Sequence, residues 1–347
     1  MADDQASAAR VGFVGLGNMG MPMAGHLVAA GYHVIGFDAS AKIMRSIAEA
    51  GEVGGAGDTG QSGGSGPGSG GSSEAGTSEG GTSAGGTSEM GTSEAGTGAG
   101  GRLSAAASLS AVGEDVRAVI LSLPDSDVVE HVLLGAGGLL ASLPPGSTVI
   151  DMSSSDPART KELAARAATA GVTLVDAPVS GGVAGARAAS LAIMVGGTAE
   201  AFAAVQPLLA HMGSRVVHAG EVGAGHAIKA LNNLMSAAHM IASSEALIAG
   251  RRFGLDPAVM LEIVNGSSGR SGSTENKWPR YVLTERYDAG FSIRLMVKDI
   301  KLALAIEHAT GTPSPVSEAV AAAWEAAAGD LPADADHTAI ARWLAET

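Results

Sequence analysis

A chain of 347 residues, 46% of them apolar, exceeds the usual single-domain size and holds enough apolar material for more than one core, so two domains are expected. Its charge is acidic, 21 Lys and Arg against 35 Asp and Glu with no basic cluster, which argues against nucleic acid or an anionic membrane as partner. Cysteine is absent, excluding disulfides and thiol chemistry, and the opening MADDQASAAR lacks a signal-peptide core while no apolar run reaches the ~20 residues of a membrane helix, so a cytoplasmic protein is expected.

The first predicted element is a strand at 11–14, followed by a glycine-rich turn and an apolar helix through Ala30. HVIGFD, 33–38, is a second strand. Between strand and helix, Gly15, Gly17 and Gly20 have the spacing G-x-G-x-x-G. The first glycine allows a tight turn, the second lets the backbone approach a pyrophosphate, and the third lets helix and strand pack closely. The helix N-terminus then offers free N–H groups to the phosphates. Asp38 ends the second strand near the ~20-residue offset expected of the acid that binds the adenosine ribose. A carboxylate there repels a 2′-phosphate, so NAD is favoured over NADP. Lys42 and Arg45 read as solvated charges on the next helix.

Residues 51–101 break the pattern. They contain 21 glycines and from Gly71 fall into pentads such as GTSEG and GTSEA, a period of five with no apolar position to bury. A disordered insertion is expected. A flexible chain of that length spans about 40 Å on average, so the flanking segments can belong to one domain. Its acids supply six of the fourteen net negative charges.

After the insertion, apolar strands at 116–124, 147–154, 173–182 and 191–197 alternate with helical stretches, which predicts a parallel sheet flanked by helices. From 222 to 250 only Lys229 and Glu245 are charged and no proline intervenes, consistent with one helix of about 44 Å. On such a helix Lys229 and Asn233 project from one face at i and i+4, and His226 at i−3 shares it. Apolar neighbours leave Lys229 little polar face to occupy; a partly desolvated lysine has the lowered pKa that proton transfer near neutrality requires, whereas a snorkelling surface lysine does not. The remaining segments repeat helical periodicity with Gly and Pro punctuation, so the C-terminal third is expected to be all-α.

Together these residues resemble the β-hydroxyacid dehydrogenase family, the 3-hydroxyisobutyrate dehydrogenase and tartronate semialdehyde reductase type. GFVGLGNMGMPMAGHL, DAPVSGGVAGARAASLAIMVGG (176–197), GAGHAIKALNN (223–233) and FSIRLMVKDIKLA (291–303) match in order, with NGSSGR (265–270) as a weaker fifth block. The resemblance spans the chain apart from 51–101. It implies an α/β fold: a Rossmann-type NAD-binding domain over 10–220, interrupted by the insertion, and an all-α substrate and dimerisation domain over 221–347, joined by a long interdomain helix. It implies Lys229 as catalytic acid/base, Ser180, Gly181 and Gly182 at the substrate carboxylate, and Asn233 at the substrate hydroxyl or carboxylate. Gly15, Leu16, Gly17, Asn18, Met19, Gly20, Asp38, Leu123, Pro124 and Ser154 are implied at the cofactor, with Lys298 beside its nicotinamide end. A homodimer or homotetramer is implied, and no metal.

Physics agrees for 180–182, since backbone N–H groups of a Ser-Gly-Gly turn approach an anion unobstructed by Cβ atoms. The chain also departs from the family. His26 stands where asparagine is usual, and Gly272 stands where 3-hydroxyisobutyrate enzymes tend to carry tryptophan, which weakens that particular substrate. The leading expectation is hydride transfer between NAD and a small 3-hydroxy acid. Three alternatives stand beside it: an NADPH-dependent reductase of small aldehydes such as succinic or tartronic semialdehyde, an imine reductase, whose relatives usually replace the lysine, and a non-catalytic dinucleotide-binding module.

Overall fold

The computed structural model describes residues 9–53 and 100–347. In chain order the first part comprises β1 (Arg10–Val14), α1 (Gly20–Ala29), β2 (His33–Phe37), α2 (Ala41–Val53), β3 (Arg102–Ala105), α3 (Leu109–Gly113), β4 (Ala118–Leu121) and α4 (Ser126–Leu134). It continues through β5 (Thr148–Asp151), α5 (Pro157–Thr169), β6 (Thr173–Asp176), β7 (Val179–Ser180), α6 (Gly182–Arg187), β8 (Ala192–Gly196), α7 (Ala199–Leu209) and β9 (Arg215–Gly220). The strands form one sheet, ordered β3-β2-β1-β4-β5-β6-β8-β7 with β9 paired to β8. The run from β3 to β6 is parallel, the 3-2-1-4-5-6 order of a Rossmann domain.

Near-continuous apolar strands are what a sheet covered on both faces requires. Phe13, Val34, Ile120, Ile150 and Val175 pack into one buried layer, while their neighbours Val14, Ile35, Val119, Val149 and Leu174 pack into another. The expected parallel order stops at β6. Beyond it β8 runs antiparallel to β6 and to β7, and the connection from β6 holds the two-residue β7 and the short helix α6.

The expected disordered insertion lies outside the described residues except at its ends. Residues 51–53 continue α2, and Gly101 precedes β3 closely enough that a Cβ on it would collide with the Val28 carbonyl. Since β3 pairs with β2, the chain on both sides of the insertion belongs to one sheet.

The second part is helical: α8 (Ala224–Phe253), α9 (Pro257–Asn265), a π-helical segment (Ser273–Val282), α10 (Ile293–Ala309), α11 (Pro315–Asp330) and α12 (Ile340–Glu346). At 30 residues α8 is about 45 Å long, and left-handed glycines bound it, Gly223 at φ 89° and Gly254 at φ 100°. Its buried residues Ala230, Leu234, Ala237, Met240, Ile241 and Leu247 share a core with Trp278, Ile293, Met296, Ile300 and Trp324. The molecule is thus an N-terminal Rossmann-type domain followed by an all-α domain, with α8 passing between them. No helix is long and apolar enough to cross a membrane among the described residues.

Candidate active site

Strand order reverses between β1 and β4, and in such sheets ligands bind outside the carboxyl ends of the strands at that point. Gly15, at φ 93°, ends β1 there and its N–H donates to the Phe37 carbonyl at 2.9 Å. A Cβ on Gly15 would strike the Ser122 carbonyl that follows β4, and one on Gly20 would strike the Gly15 carbonyl. Packing within the protein therefore demands both glycines. Gly17 differs: a Cβ there meets nothing within 4 Å among the described residues, and both it and Asn18 are exposed. The first turn of α1, with Met19 at its N-cap, receives no side-chain cap among the described residues. Open backbone donors beside a glycine that packing does not require fit a pyrophosphate.

Asp38 is drawn onto the same turn. Its Oδ2 accepts from the Leu16 N–H at 2.8 Å and its Oδ1 from the Ser40 N–H at 2.7 Å. A carboxylate has about four acceptor positions, so roughly two remain for ribose hydroxyls. Fingerprint and acid, distant in sequence, are thereby brought into contact.

Lys298, on α10, reaches across to the loops after β4 and β5. Its Nζ donates to the Pro124 carbonyl at 2.9 Å and to the Ser154 carbonyl at 2.6 Å, while Leu123 N–H donates to Ser153 Oγ at 2.9 Å. Leu123, Pro124, Ser154 and Lys298 thus form one cluster joining the two domains.

Burial fixes how α8 enters. Asp176, fully buried at the end of β6, accepts from the Gly223 N–H at 2.6 Å and from the His226 N–H at 2.8 Å, satisfying donors of the helix's first turn. Gly225 lies flush on Met194, Asp176 and Pro178, where a Cβ would clash. His226 does not act with Lys229. Its ring is buried toward the sheet domain, within 2.9 Å of Thr160 Oγ1 and 3.1 Å of the Ser153 carbonyl. The spacing is helical as expected, but three residues rotate a side chain far enough for His226 to face the other domain.

One turn on, burial holds the Lys229 ammonium below the ordinary lysine range; the Asp299 carboxylate opposes this and Lys298 adds to it. Asn233, also buried, donates from Nδ2 to Asp299 Oδ2 at 2.6 Å. Asp299 is 1% exposed, its Oδ1 has no hydrogen-bond partner among the described residues, and Lys298 Nζ lies 3.6 Å from it. Sequence reasoning missed Asp299, although a carboxylate three residues after Met296 and four before Ala303, both core residues of α10, was the available signal. Ser180, Gly181 and Gly182 sit at the end of β7, with Gly181 at φ 130° and Gly182 at φ 61°, values that favour glycine, and a Cβ on Gly182 meets nothing within 4 Å. Among the described residues no group of three or more His, Cys, Asp or Glu could hold a metal.

Comparison with known proteins identifies the family. Residues 10–62 and 69–220 match the NAD binding domain of 6-phosphogluconate dehydrogenase, and residues 223–344 match the NAD-binding domain of NADP-dependent 3-hydroxyisobutyrate dehydrogenase. The mouse mitochondrial 3-hydroxyisobutyrate dehydrogenase is 37% identical over 317 residues, 90% of this chain and 79% of the relative. A 2-(hydroxymethyl)glutarate dehydrogenase from Eubacterium barkeri is 40% identical over 199 residues, 57% of this chain and 66% of the relative. A 3-hydroxyisobutyrate dehydrogenase from Mycobacterium tuberculosis, solved with L-serine, superposes with a TM-score of 0.77 at 28% identity, covering 97% of this chain and 99% of that one. A dinucleotide turn, a desolvated lysine on the interdomain helix and this set of relatives converge, and the chain belongs to the β-hydroxyacid dehydrogenase family.

Proposed function

We propose that the chain transfers a hydride between NAD, or NADP, and the carbinol carbon of a small 3-hydroxy acid, with Lys229 as the acid/base. The observation that carries this is the buried pairing of Asn233 with Asp299 beside a desolvated Lys229. The nicotinamide, when bound, accepts the hydride in oxidation and returns it in reduction. Neutral Lys229 takes the hydroxyl proton onto Nζ in oxidation, and its ammonium form returns that proton in reduction. The backbone of 180–182 holds the substrate carboxylate. Asn233, with one Nδ2 hydrogen engaged by Asp299, keeps the other for the substrate. Gly15, Leu16, Gly17, Asn18, Met19 and Gly20 receive the pyrophosphate, Asp38 the ribose, and the cluster of Leu123, Pro124, Ser154 and Lys298 the nicotinamide side.

The relatives' names support the substrate class, since 3-hydroxyisobutyrate, 2-(hydroxymethyl)glutarate and L-serine all carry a hydroxyl β to a carboxylate. The reading includes a cofactor domain over 10–220 and a substrate and dimerisation domain over 221–347, a homodimer or homotetramer, and a cytoplasmic location. A screen with NAD and NADP over 3-hydroxyisobutyrate, 3-hydroxypropionate, glycerate, threonate, serine and 4-hydroxybutyrate tests it. Oxidation of the β-hydroxy acids, with NAD preferred, is the expected result. Tight NAD binding without turnover of any acid overturns it in favour of a non-catalytic dinucleotide-binding module.

A further inference from the structure

The site contains, besides Lys229 and Lys298, a further lysine that the reaction does not use. Lys277 lies in the π-helical segment Ser273–Val282, and its Nζ donates to Ser236 Oγ at 2.7 Å. Ser236 stands on α8 three residues after Asn233 and seven after Lys229, so all three share a helix face, and Lys277 is brought to that face about two turns beyond Lys229. Its backbone is anchored by the next residue, Trp278, which is buried in the helical core. Within the same segment the Thr274 carbonyl accepts from Asn265 Nδ2 at 3.2 Å. π-Helical turns are uncommon and occur frequently at functional sites.

Lys277 is half-buried yet has no carboxylate within ion-pair distance among the described residues. Ser236 engages one of its three N–H donors. Burial pushes its ammonium down to about 8, with the Asp336 carboxylate opposing and the Lys229 charge adding to the effect. Asp336 lies too far to bond it and is itself engaged by the N–H groups of Gly290, Phe291 and Thr338. At neutral pH Lys277 is therefore a desolvated cation with donors to spare, a costly arrangement unless an anion arrives.

We propose that Lys277, oriented by Ser236, receives a second carboxylate on the substrate, so that the preferred substrates are 3-hydroxy dicarboxylic acids. This rests on the dehydrogenase reading above. One carboxylate is held at 180–182, the carbinol sits at Lys229, and the distal carboxylate extends along α8 toward Lys277.

The test compares kcat/KM for 2-(hydroxymethyl)glutarate and 3-hydroxyisobutyrate in the full chain and in its Lys277→Met, Lys277→Gln and Lys277→Arg variants, with NAD and with NADP. Wild type is expected to prefer the diacid at least tenfold. Lys277→Met and Lys277→Gln should bring the ratio near one, chiefly through the KM of the diacid, and Lys277→Arg should retain most of it. Gln keeps a donor for Ser236, so it reports on charge even where Met fails to fold. A wild-type preference for the monoacid overturns the proposal, as does a ratio that the Gln variant leaves unmoved. Oxidation of 3-hydroxyisobutyrate with no such discrimination fails this inference alone, whereas no turnover of either acid with either cofactor fails the dehydrogenase reading and this one with it.

Discussion

Asn233 on α8 donates a 2.6 Å hydrogen bond to Asp299 on α10, both side chains being buried. The bond sets the amide of the proposed substrate-holding residue and keeps a negative charge beside Lys229. Asp299→Asn should therefore do two things. Turnover should fall about tenfold or more as Asn233 loses its fixed orientation. Because Asp299 holds the Lys229 pKa up, its neutralisation lets that pKa fall further, so the rising limb of the oxidation pH profile should move to lower pH. A rate loss without that displacement would mean that Asp299 acts through packing only.

Lys229→Ala should reduce turnover by about 10²–10⁴, the range that a positioned acid/base supplies, while NAD affinity measured by calorimetry stays near wild type. Unchanged turnover in this variant would sink the assignment.

The fingerprint glycines should separate by kind of damage. Gly20→Ala collides with the Gly15 carbonyl and should lower the melting temperature and the yield of folded protein. Gly17→Ala, facing open space, should melt like wild type but bind NAD at least about tenfold more weakly, since a methyl group stands where the pyrophosphate must approach.

Asp38→Ser should weaken NAD and raise the relative use of NADP by about tenfold or more, because the carboxylate that repels a 2′-phosphate is gone. Loss of its bond to Leu16 also loosens the turn, at a cost of about 1–2 kcal/mol in stability. If cofactor preference stays fixed in steady-state kinetics, ribose recognition lies elsewhere.

Asp336 gives an acid-stability prediction. Burial works against its ionisation, but hydrogen bonds from His337 and Thr338 and the charge of His337 hold its carboxyl well below the ordinary carboxylate range. A folded-state pKa lower than the unfolded one contributes stability that is full above about pH 4 and is lost as pH falls below it. Asp336→Asn should flatten that decline in denaturant titrations and cost about 1–3 kcal/mol at neutral pH. It should also disturb catalysis, because Asp336 pins Gly290 and Phe291 at the start of the turn into α10, which carries Lys298 and Asp299.

Much of this architecture was legible in the sequence for local reasons. The strand–turn–helix around Gly15, Gly17 and Gly20 and the long apolar helix through Lys229 depend on residues close in the chain, and the family blocks marked the rest. Long-range contacts were not legible. Nothing near His226 announces that its partners are Ser153 and Thr160 across the domain boundary, and helical spacing placed it beside Lys229 instead. The significance of Asp299 and Lys277 depends on what faces them from α8. The reversal at β8 was not legible either, since it depends on which strands β8 pairs with.

The sheet order bears on where this chain can accept added length. β3 is the outermost strand, so the polypeptide leaves after α2 and re-enters at the rim, with β2 and β1 between it and the crevice at β4. Chain length added between α2 and β3 therefore enters two strands away from that crevice, and for a flexible loop each doubling of length adds only about 0.6 kcal/mol of closure entropy. That seam is a permissive graft point, suited to carrying a fusion domain or an affinity handle while the enzyme keeps working.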